Sequence, residues 1–169
     1  MKNKICVLIF ISILCSLFSS CGNESKDIWA KYRSEDFCAT VKYEQYDVEI
    51  CARITVERGE ANRITAEFSS PEALRGTVAT FNGEEFILRC NGVEIRGEAV
   101  KKLLSLPLML SSGNAISFER QTERERRQLK VKTENGEMIF DIDTGELVSA
   151  ELDGISCDII DFYWQEQDT

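Results

Sequence analysis

The sequence predicts a mainly β domain, an antiparallel sheet of successive hairpins with one apolar helix packed on it. Three observations predict it. Apolar and polar residues alternate with period two through most of the chain after residue 36. Asn-Gly and Asp-Gly pairs, which favour two-residue hairpin loops, fall at Asn82-Gly83, Asn135-Gly136 and Asp153-Gly154. Only residues 97–114 place their leucines at helical spacing instead.

Taken in order, the chain begins with Lys2 and Lys4, then the apolar run "ICVLIFISILCSLF" (5–18), then Ser19, Ser20 and Cys21. A basic start, a short apolar stretch and a small-residue cleavage site make a secretory signal. The run is shorter than the roughly 20 apolar residues that a membrane-spanning helix needs. The pattern resembles a bacterial lipoprotein signal, in which a small residue precedes an invariant cysteine, here with Phe18 where leucine is usual. That resemblance implies that residues 1–20 are removed and that Cys21 becomes a diacylated N-terminus. An ordinary signal peptide with an incidental cysteine is the alternative. Residues 21–27 are then the lipidated cysteine and a short tether, 28–164 the domain, and 165–169 a C-terminal tail.

"DIWAKYRSED" (27–36) is expected to hold one or two helical turns. "FCATVKY" (37–43) puts Phe37, Ala39, Val41 and Tyr43 on one face; "VEICARITV" (48–56) does so with Val48, Ile50, Ala52, Ile54 and Val56; "RITAEFS" (63–69) with Ile64, Ala66 and Phe68. Such half-apolar strands belong to an antiparallel sheet with one face on a core. A two-residue turn at Asn82-Gly83 sets Ala79 opposite Phe86 and Phe81 opposite Glu84. One at Asn135-Gly136 sets Val131 opposite Phe140, and one at Asp153-Gly154 sets Ala150 opposite Cys157. In "GEAVKKLLSLPLMLSSGN" (97–114), Ala99, Leu103, Leu106 and Leu110 share a helical face, and Pro107 is expected to stop or kink the helix near Leu106. An apolar helix among strands buries its face against the sheet.

The order of these elements resembles clostridial relatives of the half-barrel lipoprotein-carrier superfamily, which includes LolA, LolB and the mycobacterial lipid-binding lipoproteins. The residues that carry it are "FCATVKY", "ITAEFSSPEALRGTVATFNGEEFILRCNGVEI", "EAVKKLLSLPLML" and "GEMIFDIDTGELVSAELDGISCDIIDF". The resemblance implies one strongly bent antiparallel sheet, an open half-barrel, with one or two helices across its concave face. In carriers that concavity holds acyl chains. A long N-terminal helix is expected to be missing here.

Chemistry is constrained by what the chain lacks. It contains no histidine, the commonest general base and metal ligand. A formal net charge of −9 argues against nucleic acid as a partner. "DIDTGE" (141–146) has Gly145 at the fifth position, where a calcium loop needs an oxygen ligand, so it reads as a hairpin turn. "ERQTERERRQ" (119–128) reads as a solvated loop or exposed strand ends. A tight turn at Glu44-Gln45 sets Cys38 opposite Cys51 off the core, a possible cross-strand disulfide, while Cys90 and Cys157 read as small buried hydrophobes. Trp29, Tyr32, Phe162, Tyr163 and Trp164 read as core caps.

Function follows as an expectation. The chain is a lipoprotein on the extracytoplasmic face of the cell membrane, with no catalytic residues, metal or cofactor. It binds a lipid-like amphiphile under a lid that includes Leu103, Leu106 and Leu110. The alternative is an envelope interaction or scaffold module whose core is filled by its own side chains, with a protein partner the sequence does not name.

Overall fold

The computed structural model describes residues 23–59 and 62–165. Residues 1–22, and with them the apolar run and Cys21, lie outside the described residues. A helix, α1 (Asn23–Ser34), is followed by six strands: β1 (Phe37–Gln45), β2 (Val48–Glu57), β3 (Arg63–Ser70), β4 (Val78–Phe81), β5 (Phe86–Cys90) and β6 (Val93–Arg96). Two short helices, α2 (Glu98–Lys101) and α3 (Ser105–Ser111), lead into β7 (Ala115–Glu123), β8 (Arg126–Thr133), β9 (Gly136–Asp141), β10 (Leu147–Leu152) and β11 (Ile155–Trp164).

All the strands join one antiparallel sheet in the order β6-β5-β4-β3-β2-β1-β11-β10-β9-β8-β7. Each arm of that sheet is a meander of neighbours in sequence, and β1 and β11 join the arms. The sheet is not closed: β6 and β7 are its two edges, although they are consecutive in the chain. The segment between them must therefore cross the inner face, and α3 duly touches β3 in one arm and β10 in the other. This is the open half-barrel, mainly β, expected from the resemblance.

The faces follow the alternation. Phe37, Ala39, Val41 and Tyr43 of β1, Ile50, Ala52, Ile54 and Val56 of β2, and Ile64, Ala66 and Phe68 of β3 are all buried in one core. Val48, at the turn end of β2, is exposed. Leu129, Val131, Met138, Phe140, Leu147, Ala150 and Leu152 complete the core from the other arm.

The registers differ from expectation where turn positions differ. The β1–β2 turn is Tyr46-Asp47, both at positive φ, not Glu44-Gln45. Tyr43 then faces Ile50, and Phe37 faces Val56, which matches the apolar face of β1 to that of β2 from Ile50 to Val56. The loop after β4 has four residues, because the Asn82 side chain accepts from the N–H groups of Glu84 and Glu85 (3.1 and 2.8 Å). Phe81 thus meets Phe86, ring on ring at 4.8 Å, rather than Glu84, and Ala79 meets Leu88. The β8–β9 turn is Glu134-Asn135, so Val131 faces Met138 and Leu129 faces Phe140. Asp153-Gly154 forms the expected turn, with Ala150 opposite Cys157. Each slip is by an even number of residues, so no side chain changes face.

Helix α1 is longer than expected and takes up residues 23–27, read above as tether. Glu24 in its first turn and Lys31 and Arg33 in its last complement the helix dipole. Ile28 and Tyr32, one turn apart, are buried.

The inner face and its strap as a candidate ligand site

The crossing segment is bounded by two glycines at positive φ, Gly97 (+116°) and Gly113 (+97°). Between them the chain forms a strap. Its helix breaks at Lys102–Leu104, three residues before the break expected from Pro107. Pro107 sits instead in the first turn of α3, where its missing N–H would have had no partner, so the ring costs nothing there. Leu104, Leu106 and Leu110 are 0% exposed, whereas Leu103 is only partly buried at the core's margin.

The far end of the strap is fastened by donors from two other elements. The Tyr32 hydroxyl donates to the Leu110 carbonyl at 2.8 Å. Arg33 and Arg58 both donate to the Ser111 carbonyl, Arg58 Nη1 at 2.7 Å. Arg58 also reaches the Tyr32 carbonyl at 3.4 Å, and its backbone N–H is held by the Asp36 carboxylate. Free carbonyls at a helix C-terminus carry partial negative charge, so cations there are favourable. Two guanidiniums on one oxygen nevertheless repel. Burial lowers the Arg58 pKa from its ordinary value, and the neighbouring Arg33 charge lowers it further. Burial raises the Tyr32 phenol, which keeps it a proton donor. Arg58 Nε is buried with no partner, so this fastening is not fully satisfied.

Tyr32 also anchors the aromatic cluster. It stacks on Phe37 at 4.9 Å and meets Phe140 edge-on at 5.0 Å, while Phe37 stacks on Phe162. These rings are core, as the sequence implied for Tyr32 and Phe162, whereas Tyr163, also read as a core cap, lies exposed against Arg53.

The cysteines divide by environment. Because the β1–β2 turn lies two residues further on, Cys38 faces Thr55 and Cys51 faces Lys42. The pairing of Cys38 with Cys51 is therefore corrected: the two are free and lie four residues apart in register. Cys38 points to the outer face as expected, yet it is fully buried, because Arg53 Nε lies over its sulfur at 3.1 Å and also donates to the Tyr163 hydroxyl through Nη2. Cys157 is buried in the core, and burial pushes its thiol up to about 12. Cys90 is only partly covered, short of the buried position expected.

"DIDTGE" is a turn. Asp141 accepts from the N–H groups of Asp143 (2.8 Å) and Thr144 (3.2 Å), and Gly145 has φ +72°. Among the described residues no group of three or more acidic or cysteine side chains is arranged to hold a metal ion, and no helix is long and apolar enough to cross a membrane. The 119–128 segment is the exposed β7–β8 hairpin, turning at Arg124-Glu125.

Sequence reasoning placed the strap but not what fastens it. Arg33 and Arg58 lie 78 and 53 residues from Ser111, and nothing local to either marks the contact.

No protein-family model and no curated protein matches the chain. Among solved structures it is similar to an uncharacterized conserved protein from Thermus thermophilus, with a TM-score of 0.57 and 14% identity over 87% of this chain and 89% of that one. It is similar also to MucB, with a TM-score of 0.50 and 15% identity over 89% of this chain; the match spans only 61% of MucB. A putative outer membrane lipoprotein-sorting protein domain from Vibrio parahaemolyticus aligns with a TM-score of 0.46 and 9% identity over 87% of this chain and 93% of that one. At such identities the likeness to the first two is one of fold. The fold shared with those two is an open half-barrel, one antiparallel sheet with helices on its inner face.

Proposed function

We propose that this chain is a non-enzymatic lipoprotein, anchored at the extracytoplasmic face of the cell membrane, that binds or carries a lipid-like amphiphile between sheet and strap. One observation carries the reading: a continuous apolar inner face lies under a strap that is hinged between two glycines and fastened by incompletely satisfied donors. Leu104, Leu106 and Leu110 fill the space that acyl methylenes would take, so a ligand enters by displacing them. The resemblance to lipoprotein carriers supports the same reading. Native mass spectrometry of the full chain, released from membranes in mild detergent, tests it. The expected result is a co-purifying amphiphile, at higher occupancy in Arg58→Leu, where the strap has lost one fastening. A ligand-free spectrum for both forms would sink the carrier.

A second reading has its own observation. Leu104, Leu106 and Leu110 of the strap are fully buried, as in a core filled by the chain itself, which suits an interaction or scaffold module. On that reading Arg58→Leu lowers stability and admits nothing.

Anchoring rests on Cys21. Two acyl chains hold a protein on a bilayer where one barely does, at roughly 0.8 kcal/mol per buried CH₂. Cys21→Ser is expected to abolish membrane retention, leaving unprocessed precursor or released protein on fractionation. Mature-sized Cys21→Ser protein sedimenting with membranes would rule the anchor out.

A further inference from the structure

We propose that the ligand enters over β6 and is a long-chain fatty carboxylate whose headgroup meets Lys101 and Lys102; this rests on the carrier reading above. The inner face is sealed unevenly. In the β8–β10 arm, Leu129, Val131, Met138, Phe140 and Leu152 have no exposure. In the other arm Phe81, Phe86 and Leu88 are only partly buried, and Val93 and Ile95 on the edge strand are 59% and 51% exposed. Cross-strand partners share a face, and they run Ile95 to Leu88, Leu88 to Ala79, Ala79 to Ala66 and Ala66 to Ile54. Ile95 therefore belongs to the inner face, as does Val93 two residues away. The strip from Ile95 to the core is continuous apolar surface that water reaches.

Its cover is thin. The helix that touches β5 and β6 there is α2, a single turn with no side-chain cap. The opposite rim differs. Phe118 is 36% exposed, but its cross-strand partner Val131 is fully buried, and the Ser25 hydroxyl and Glu24 carboxylate of α1 hold Arg120 at 3.1 and 3.0 Å. Ile116 is more exposed, but it sits in a bulge of β7, off the ladder.

Charge selects the occupant. Lys101 Nζ stands 5.8 Å from the centre of the Phe86 ring, over the strip, and its contact with Glu98 is a loose 3.6 Å. Lys102 is exposed and makes no ion pair among the described residues. Two adjacent cations at the open end of an apolar strip, on a chain of net charge −9, complement an acyl chain that ends in a carboxylate. A neutral head could accept a hydrogen bond from them but would lack the charge attraction.

Photocrosslinking tests this on the full chain in its own membranes, with a diazirine-bearing fatty acid and the fatty alcohol of the same length. Crosslinks should map to peptides covering Phe86 to Leu103, with the alcohol labelling about threefold less. Ile95→Asp should cut labelling about tenfold, whereas Ile116→Asp, at a site at least as exposed, should leave it unchanged. Replacing Lys101 and Lys102 by glutamine should erase the preference for the acid and leave alcohol labelling as it was. Crosslinks confined to β7, or wild-type labelling of Ile95→Asp, would overturn the β6 entry. Equal labelling by acid and alcohol in the unmodified chain would overturn the headgroup assignment. No labelling of the unmodified chain by either probe would instead bring down the carrier reading itself.

Discussion

Leu110→Ala is expected to lower the free energy of unfolding by about 2–5 kcal/mol, the loss typical of a packed core leucine. Its side chain is 0% exposed, and its carbonyl is held by Tyr32, so the site has little freedom to collapse onto the cavity left behind. Leu106→Ala belongs to the same range, being equally buried. Leu103→Ala, at the margin, should cost clearly less. Denaturant titration of the three variants measures the ordering. A small loss at Leu106 and Leu110 would mean that strap and sheet enclose unfilled space in the resting state. Full losses at both mean that opening the half-barrel sets the strap's own burial against that of the ligand. Combined with no detectable amphiphile binding, full losses would leave the scaffold reading alone.

Gly136→Ala is expected to cost at least about 3 kcal/mol, from a strained backbone and a clash together. Gly136 opens β9 at φ +139°, and an added Cβ would lie 2.1 Å from the Glu151 carbonyl oxygen in β10. Backbone cannot swing aside as a flexible side chain does. Gly154 supplies the control: it has φ +75° in the β10–β11 turn, with nothing within 4 Å of an added Cβ. Gly154→Ala should therefore cost only the roughly 1–2 kcal/mol of a left-handed alanine. Thermal unfolding of the pair gives the comparison. Equal losses at the two glycines would refute the close approach of β9 and β10.

These glycines also show which parts of the fold the sequence makes legible. Faces could be read, because a period of two survives any even slip: Phe37 to Tyr43 and Ile50 to Val56 point where the alternation puts them. Registers could not. Gly136 looks like the second residue of an Asn-Gly turn, yet the approach of Glu151 draws it into β9 and moves the turn back to Glu134-Asn135. Tyr46-Asp47 carries no glycine to announce a turn with positive φ at both central residues. The first turn of α1 was missed because residues 23–27 contain no apolar residue; what secures it is Ser25, buried against Arg120 of β7, 95 residues away. The strap was legible as helical and apolar, but its fastening by Arg33 and Arg58 depends on contacts made only once the sheet exists. The exposed strip at Val93 and Ile95 was likewise beyond reach, since alternation assigns a face and not how well it is covered.

The placing of β1 against β11 has a consequence for the order in which the chain folds. Every other neighbouring pair in the sheet is joined by a hairpin or short connection, so each arm can form from contacts close in sequence. The seam instead brings Phe37 against Trp164. Closing a loop of that length costs about 3 kcal/mol more in chain entropy than closing a tight hairpin. Two meanders can thus assemble early and independently, and the rate of reaching the native state is governed by their meeting along a single line. That line runs behind Tyr32 and Phe140, so docking α1 and zipping β1 to β11 draw on the same aromatic cluster. The two ends of the domain commit together.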